Sequence, residues 1–80
     1  MEAEKQLTFG EKLVGLTFNP SQDARIDKAK RLCADLVDLT NDMYYNPNIE
    51  RPLYEILFQH TLTEILNAQM NVVKLLTFKY

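Results

Sequence analysis

Eighty residues, 46% of them hydrophobic, with a formal net charge of −2, make one small domain with more apolar surface than a core of its own size absorbs; the composition predicts burial between copies of the chain. The charge balance excludes a global basic field and with it general DNA or RNA binding, so any attraction for anions is local. The single cysteine, Cys33, leaves no internal disulfide framework and fits a reducing cytoplasm, no run of about 18 apolar residues predicts a membrane span, and Met1 to Lys5 lacks the basic-then-apolar layout of a signal peptide.

Two glycines and three prolines punctuate the chain. So few breakers among many Leu, Ala, Lys and Glu residues predict an all-α fold. The first segment reads as a short helix over about residues 4–16, with Leu7, Leu13 and Val14 apolar. Gly10 and Gly15 each weaken it by about 1 kcal/mol against Ala. A glycine there marks either a close approach by another backbone or ligand, or a frayed helix.

Pro20 disfavours helical dihedrals at Asn19, so the first helix stops before it. Ser21 is the expected N-cap of a second helix over about residues 21–43, with Asp23 in its first turn. Ile26, Ala29, Leu32, Cys33, Leu36, Val37, Leu39 and Met43 recur at steps of three and four and read as one broad apolar stripe. Arg25, Lys28, Lys30 and Arg31 crowd the start of that helix, and Asp35, Asp38 and Asp42 its end. Both clusters oppose the helix dipole. The basic run is either a solvated face paired with Asp23 and Asp27, or a cluster kept for an anion.

Tyr44 to Pro52 is the one clear connection, and Pro52 suits the first turn of a third helix over about residues 52–77. Its main stripe is Leu53, Ile56, Leu57, His60, Thr63, Leu66, Met70, Val73 and Leu76. Ile65, Val72, Leu75 and Phe78 fall elsewhere on the wheel. The last two turns are therefore apolar nearly all round, which predicts a subunit interface there. The expected architecture is a short N-terminal helix plus two long antiparallel helices, assembled into a homo-oligomer.

Thr17-Phe18-Asn19-Pro20-Ser21 leads directly into the basic run. An aromatic face, a hydroxyl, helix-start N–H groups and positive charge thus lie close together, as a small phosphorylated ligand with bases requires. Phe18 reads two ways, as a stacking platform or as a hydrophobic staple on the second helix. Asn19 and Ser21 form a turn and cap, and the same helix start offers N–H groups to phosphate. His60 is expected in a core or interface. Metal binding would need further ligands; Glu64 lies one turn on, but no His or Cys sits at compatible helical spacing. Cys33 reads as a small core residue, and a Cys33–His60 pair has no third group to complete a catalytic set. Asp35, Asp38 and Asp42 share a face that reads as solvated, with a cation site as the alternative. Tyr44 and Tyr45 either cover a pocket or close the end of the core. No cofactor or metal site and no nucleophile with its base is evident.

The pattern Gly10-Glu11-Lys12-Leu13-Val14-Gly15, then Phe18-Asn19-Pro20-Ser21 and Ile26-Asp27-Lys28-Ala29-Lys30, resembles the start of the small phage proteins that block CBASS immunity by sequestering cyclic nucleotides. The run from Thr63 to Thr77 resembles their C-terminal helix, in which a Thr-acidic pair precedes a Met and a basic residue follows four positions later. The two matches span most of the chain. The resemblance implies a compact all-helical hexamer without catalytic activity, acting in the cytoplasm of the infected bacterial host. Helix starts from two subunits would clasp a cyclic dinucleotide. By residue-for-residue likeness Phe18 would stack on a base and Lys30, or alternatively Lys28, would contact phosphate. Better-known members have a tyrosine where this chain has Phe18, so a hydrogen bond from that hydroxyl has no counterpart here. Lys74 would serve a separate cyclic trinucleotide site.

The expected function is a non-enzymatic sponge for cyclic di- and trinucleotide signals, with Phe18, Asn19, Ser21, Arg25, Lys28 and Lys30 as candidate dinucleotide contacts. The rivals are a protein–protein adaptor using the apolar C-terminal face, and a cyclic-nucleotide hydrolase. The charge swap Lys30→Glu is expected to abolish nucleotide binding in the sponge, leave its oligomer intact, and matter little in an adaptor.

Overall fold

The computed structural model describes residues 6–42 and 46–79. Among the described residues it is all-helical, with α1 over Phe9–Val14, α2 over Ala24–Asp42 and α3 over Arg51–Thr77. No helix among them is long and apolar enough to cross a membrane.

α1 is shorter than the sequence suggests because it is capped at both ends. Thr8 Oγ1 accepts from the Glu11 N–H at 3.1 Å, and Glu11 Oε1 accepts from the Thr8 N–H at 2.8 Å. This reciprocal capping box fixes the start after Thr8. Gly15 fixes the end with φ 66°, a left-handed conformation that favours glycine. The following N–H of Leu16 reaches back to the Glu11 carbonyl at 3.0 Å.

Gly10 has a different role. Its N–H donates to Asp38 Oδ1 at 2.7 Å, and a Cβ placed there would stand 2.2 Å from the Ala34 carbonyl oxygen. Of the two readings of this glycine, the structure has the close backbone approach. Asp38 also accepts from Thr8 Oγ1 at 2.6 Å, so it ties α1 to α2 and is not a spare ligand on a solvated face.

α2 begins three residues later than expected. Gln22 has φ 58°, which interrupts any helix running on from Ser21. Asp23 does the capping: its Oδ1 accepts from the Arg25 N–H at 2.8 Å and its carbonyl from the Ile26 N–H at 3.0 Å. Ser21 Oγ accepts from the Asp23 N–H at 3.3 Å, ahead of the helix, and donates to Asn19 Oδ1 at 2.8 Å. The basic start of α2 is partly neutralised. Arg25 pairs with Asp23 at 2.9 Å, while Arg31 bridges Glu11 at 2.6 Å and Asp35 at 2.8 Å.

The apolar residues of α2 form two faces, not one stripe. Ile26, Ala34 and Val37 are buried beside Lys30, whereas Leu32, Leu36 and Leu39 are exposed on roughly the opposite side of the helix. On α3 the buried face carries Ile65 and Gln69; Leu53, Ile56, Leu57 and His60, expected on the buried stripe, are exposed. Val14, Ala34, Val37 and Ile65 form the core, with Leu13, Leu16, Cys33, Leu62 and Leu66 packed against it. The Gln69 amide Nε2 donates to the Val14 carbonyl at 3.0 Å and joins the end of α1 to α3.

The helices lie in a thin layer. The Cα trace measures 45 × 44 × 13 Å with a radius of gyration of 15.0 Å, against about 12 Å for a compact domain of this length. A layer about one helix thick leaves much of its apolar surface in water. Met43, Tyr44 and Tyr45 lie outside the described residues.

Candidate functional site

The segment between α1 and α2 builds a groove against the end of α3. Gly15 turns the chain, and the Phe18 N–H closes the turn on the Gly15 carbonyl at 3.0 Å. Asn19 then organises the approach to α2. Its Nδ2 donates to the Asp23 carbonyl and to Asp27 Oδ1, each at 2.9 Å. Phe18, Asn19, Pro20 and Ser21 form one side of the groove, Ile26 and Lys30 of α2 its base, and Val73 and Thr77 of α3 the far wall. The cavity is about 260 Å³.

Lys30 is the unusual member. It is only 7% exposed, and its ammonium reaches back to the turn rather than out to solvent. Nζ donates to the Gly15 carbonyl at 3.0 Å and to the Phe18 carbonyl, and lies 5.4 Å from the centre of the Phe18 ring. None of the ion pairs among the described residues includes it. A buried cation is costly unless its charge is compensated, and here carbonyl dipoles and an aromatic face stand in for a carboxylate. Phe18 itself is 70% exposed, far too open for a staple buried on α2.

Four of the six candidate dinucleotide residues, Phe18, Asn19, Ser21 and Lys30, therefore line one groove. Arg25 and Lys28 are exposed and lie outside its lining. The Arg25 guanidinium holds the Asp23 carboxyl below its ordinary value, chiefly through their side-chain hydrogen bond. Lys74 is exposed and adjoins Val73 in the chain without itself lining the groove. The sequence reading missed Val73 and Thr77 as groove residues. Their one local signal is the four-residue step Ile65, Gln69, Val73, Thr77, which continues one side of α3 from its buried residues to the half-buried Val73 and the exposed Thr77.

The remaining reactive groups do not converge. Cys33 packs against the core, where burial pushes its thiol up; a reactive thiol needs the opposite shift. His60 is exposed on α3 rather than in a core. No group of three or more His, Cys, Asp or Glu with metal-binding proximity occurs among the described residues. A second cavity of about 240 Å³ lies at the other end of the helix pair, lined by Thr40, Ile49, Tyr54 and Phe58 among others. The rings of Tyr54 and Phe58 stack there with centroids 6.0 Å apart. A scan against protein-family models, a search of curated proteins and a search of solved structures each found no match to this chain.

Proposed function

We propose that this chain is a non-enzymatic sponge that binds cyclic dinucleotides, and at Lys74 cyclic trinucleotides, and withholds them from CBASS effectors in the cytoplasm of a phage-infected bacterium. One observation carries the reading: a single groove gathers an exposed aromatic face, Phe18, with a buried ammonium, Lys30, that has no carboxylate partner among the described residues. A flat base complements the exposed ring, and the ammonium behind it is bonded to the two carbonyls of the turn that carries that ring. The sequence resemblance to phage cyclic-nucleotide sponges supports the same ligand class.

A groove of about 260 Å³ is smaller than the roughly 300–1,000 Å³ that encloses a whole small ligand. It suits half of a cyclic dinucleotide, one base per groove, with a second subunit holding the other half. Oligomerisation has independent support in the exposed area. The chain exposes 6514 Å², whereas a monomeric protein of 9.3 kDa exposes about 5,000 Å². The excess exceeds the roughly 800 Å² that one partner contributes to a standard interface. Leu32, Leu36 and Leu39 on α2 and Met70, Val72 and Leu75 on α3 are the apolar residues such contacts would cover. We read the assembly as a hexamer of chains whose two long helices run antiparallel. Sequestration then works by mass action: enclosed contacts hold the ligand intact and keep its free concentration low.

The same exposed apolar residues support a second reading, an adaptor that docks a host protein without nucleotide affinity. Titration calorimetry against a panel of cyclic di- and trinucleotides, with chromatography of the recovered ligand, separates the readings. The sponge predicts dissociation constants below about 1 μM and intact ligand. Converted ligand makes the protein a hydrolase, and absence of heat across the panel leaves the adaptor.

A further inference from the structure

Lys30 and Phe18 are joined in a way that a phosphate-binding lysine does not require. A helix end leaves carbonyl groups without intrahelical partners. Beyond α1, the Gly15 carbonyl accepts both the Phe18 N–H at 3.0 Å and the Lys30 ammonium at 3.0 Å, and the Phe18 carbonyl accepts the same ammonium. Two of the three ammonium donors thus hold the two ends of one turn. The Phe18 ring has little packing of its own, being 70% exposed, and the ammonium lies against its face at 5.4 Å from the centroid. Leu16 packs the near end of this turn against the core, and the buried lysine stem, rooted in α2, connects the Phe18 end to the body of the protein.

We propose that Lys30 is a positioning residue: it clamps the Gly15–Phe18 turn to α2 and fixes the Phe18 ring as the wall of the groove, and it acts on ligand through that ring rather than by pairing with phosphate. Releasing the ammonium to a phosphate would strip both carbonyls of their donor and loosen the ring on which the base stacks. Preorganising an exposed ring removes an ordering cost from binding. The clamp stands on ligand-free geometry; only its consequence for affinity rests on the nucleotide reading above.

The test begins without ligand. In the wild-type protein, Lys30 ammonium protons should exchange slowly and show through-hydrogen-bond couplings to the Gly15 and Phe18 carbonyl carbons by NMR. Lys30→Met keeps the stem and removes the donors. Exchange of the Phe18 amide should then accelerate at least tenfold while the Ile65 amide stays protected, and Lys30→Arg should recover part of the loss. If Lys30→Met loses Ile65 protection as well, it has unfolded, and the wild-type couplings decide: their absence overturns the clamp. With cyclic di-AMP and cyclic di-GMP as probes, Lys30→Met should weaken binding without changing the slope of log affinity against log salt. A slope reduced by about one ion, with Phe18 exchange unchanged, identifies a phosphate contact and overturns the proposal. Absence of binding by both probes counts against the nucleotide reading, which the full panel decides, while the ligand-free measurements still decide the clamp.

Discussion

The Gly10 N–H and the Asp38 carboxylate meet at 2.7 Å, and the approach is possible only because Gly10 has no side chain. A Cβ at this position would stand 2.2 Å from the Ala34 carbonyl and 2.8 Å from Asp38 Oδ1. Helix propensity alone says Gly10→Ala should stabilise α1 by about 1 kcal/mol. The contact reverses the sign, because the nearest atom is backbone in the middle of α2 and has little freedom to move. Overpacking of this kind costs about 1–3 kcal/mol, and separating α1 also breaks the hydrogen bond to Asp38. Gly10→Ala should lower the urea midpoint at fixed protein concentration, read by circular dichroism. An unchanged or higher midpoint would mean that α1 is not seated on α2 as described.

Gln69 carries a second test of how α1 is held. It is only 8% exposed, its Nε2 donates to the Val14 carbonyl, and its Oε1 has no hydrogen-bond partner among the described residues. Gln69→Glu sets a carboxylate against a carbonyl in a buried position. The expected loss at neutral pH is about 3 kcal/mol. A protonated glutamic acid regains a donor, so the introduced group should have a folded-state pKa above its unfolded value of about 4.3. Its stability is then greatest below pH 4 and falls as pH rises through the folded pKa. Denaturation of Gln69→Glu at pH 4 and pH 7 should show this recovery in acid, whereas a parallel shift at both pH values contradicts the placement of the amide.

The sequence carries the connections better than the faces. Pro20 and the Pro47–Pro52 segment mark real breaks because proline restricts its neighbours wherever it sits. The buried face of α2 is less legible. Counting apolar residues favours Leu32, Leu36 and Leu39, yet Ala34 and Lys30 are buried and those leucines are not. Ala34 is buried where its backbone carbonyl meets Gly10, which has no Cβ to hold it off, a long-range fact with no local signature. Phe18, Asn19 and Ser21 are legible as a site because they are adjacent in the chain. Val73 and Thr77 reach the groove only through the way α2 packs on α3. The charge swap Lys30→Glu also reads differently once Lys30 is seen to be buried on two carbonyls. It would place a carboxylate against them and disturb the turn, so a loss of nucleotide binding in this variant would not by itself report a phosphate contact.

Asp23 gives α2 a pH-dependent start. Its side chain accepts from the Arg25 N–H and from the Arg25 guanidinium, and these bonds hold its pKa below the ordinary 3.8. A depressed folded-state pKa means the carboxylate's contribution is complete above the unfolded pKa and is lost as pH falls through the folded one. The start of α2 should be insensitive to pH from 7 to about 5 and weaken below about 4. Chemical shifts of the Arg25 and Ile26 amides should follow that titration, and Asp23→Asn should abolish it. A midpoint at or above the ordinary value would remove Asp23 as the cap.

Phe18 is where stability and binding separate most cleanly. A side chain that is 70% exposed contributes little to the fold, so Phe18→Ala should change unfolding free energy by about 0.5 kcal/mol or less. A base stacked on an aromatic face contributes about 1–3 kcal/mol, so the same substitution should weaken cyclic dinucleotide binding roughly 5- to 150-fold. The Lys30 clamp adds a further expectation: Phe18→Leu removes the π-face but leaves both carbonyl acceptors, so the turn should stay protected while affinity still falls. Calorimetry and hydrogen exchange on the two variants read these quantities separately. If Phe18→Ala destabilises the protein by more than about 2 kcal/mol, the ring is a staple on α2. If both variants bind as tightly as the wild-type protein, the aromatic wall of this groove is not the surface on which a base rests.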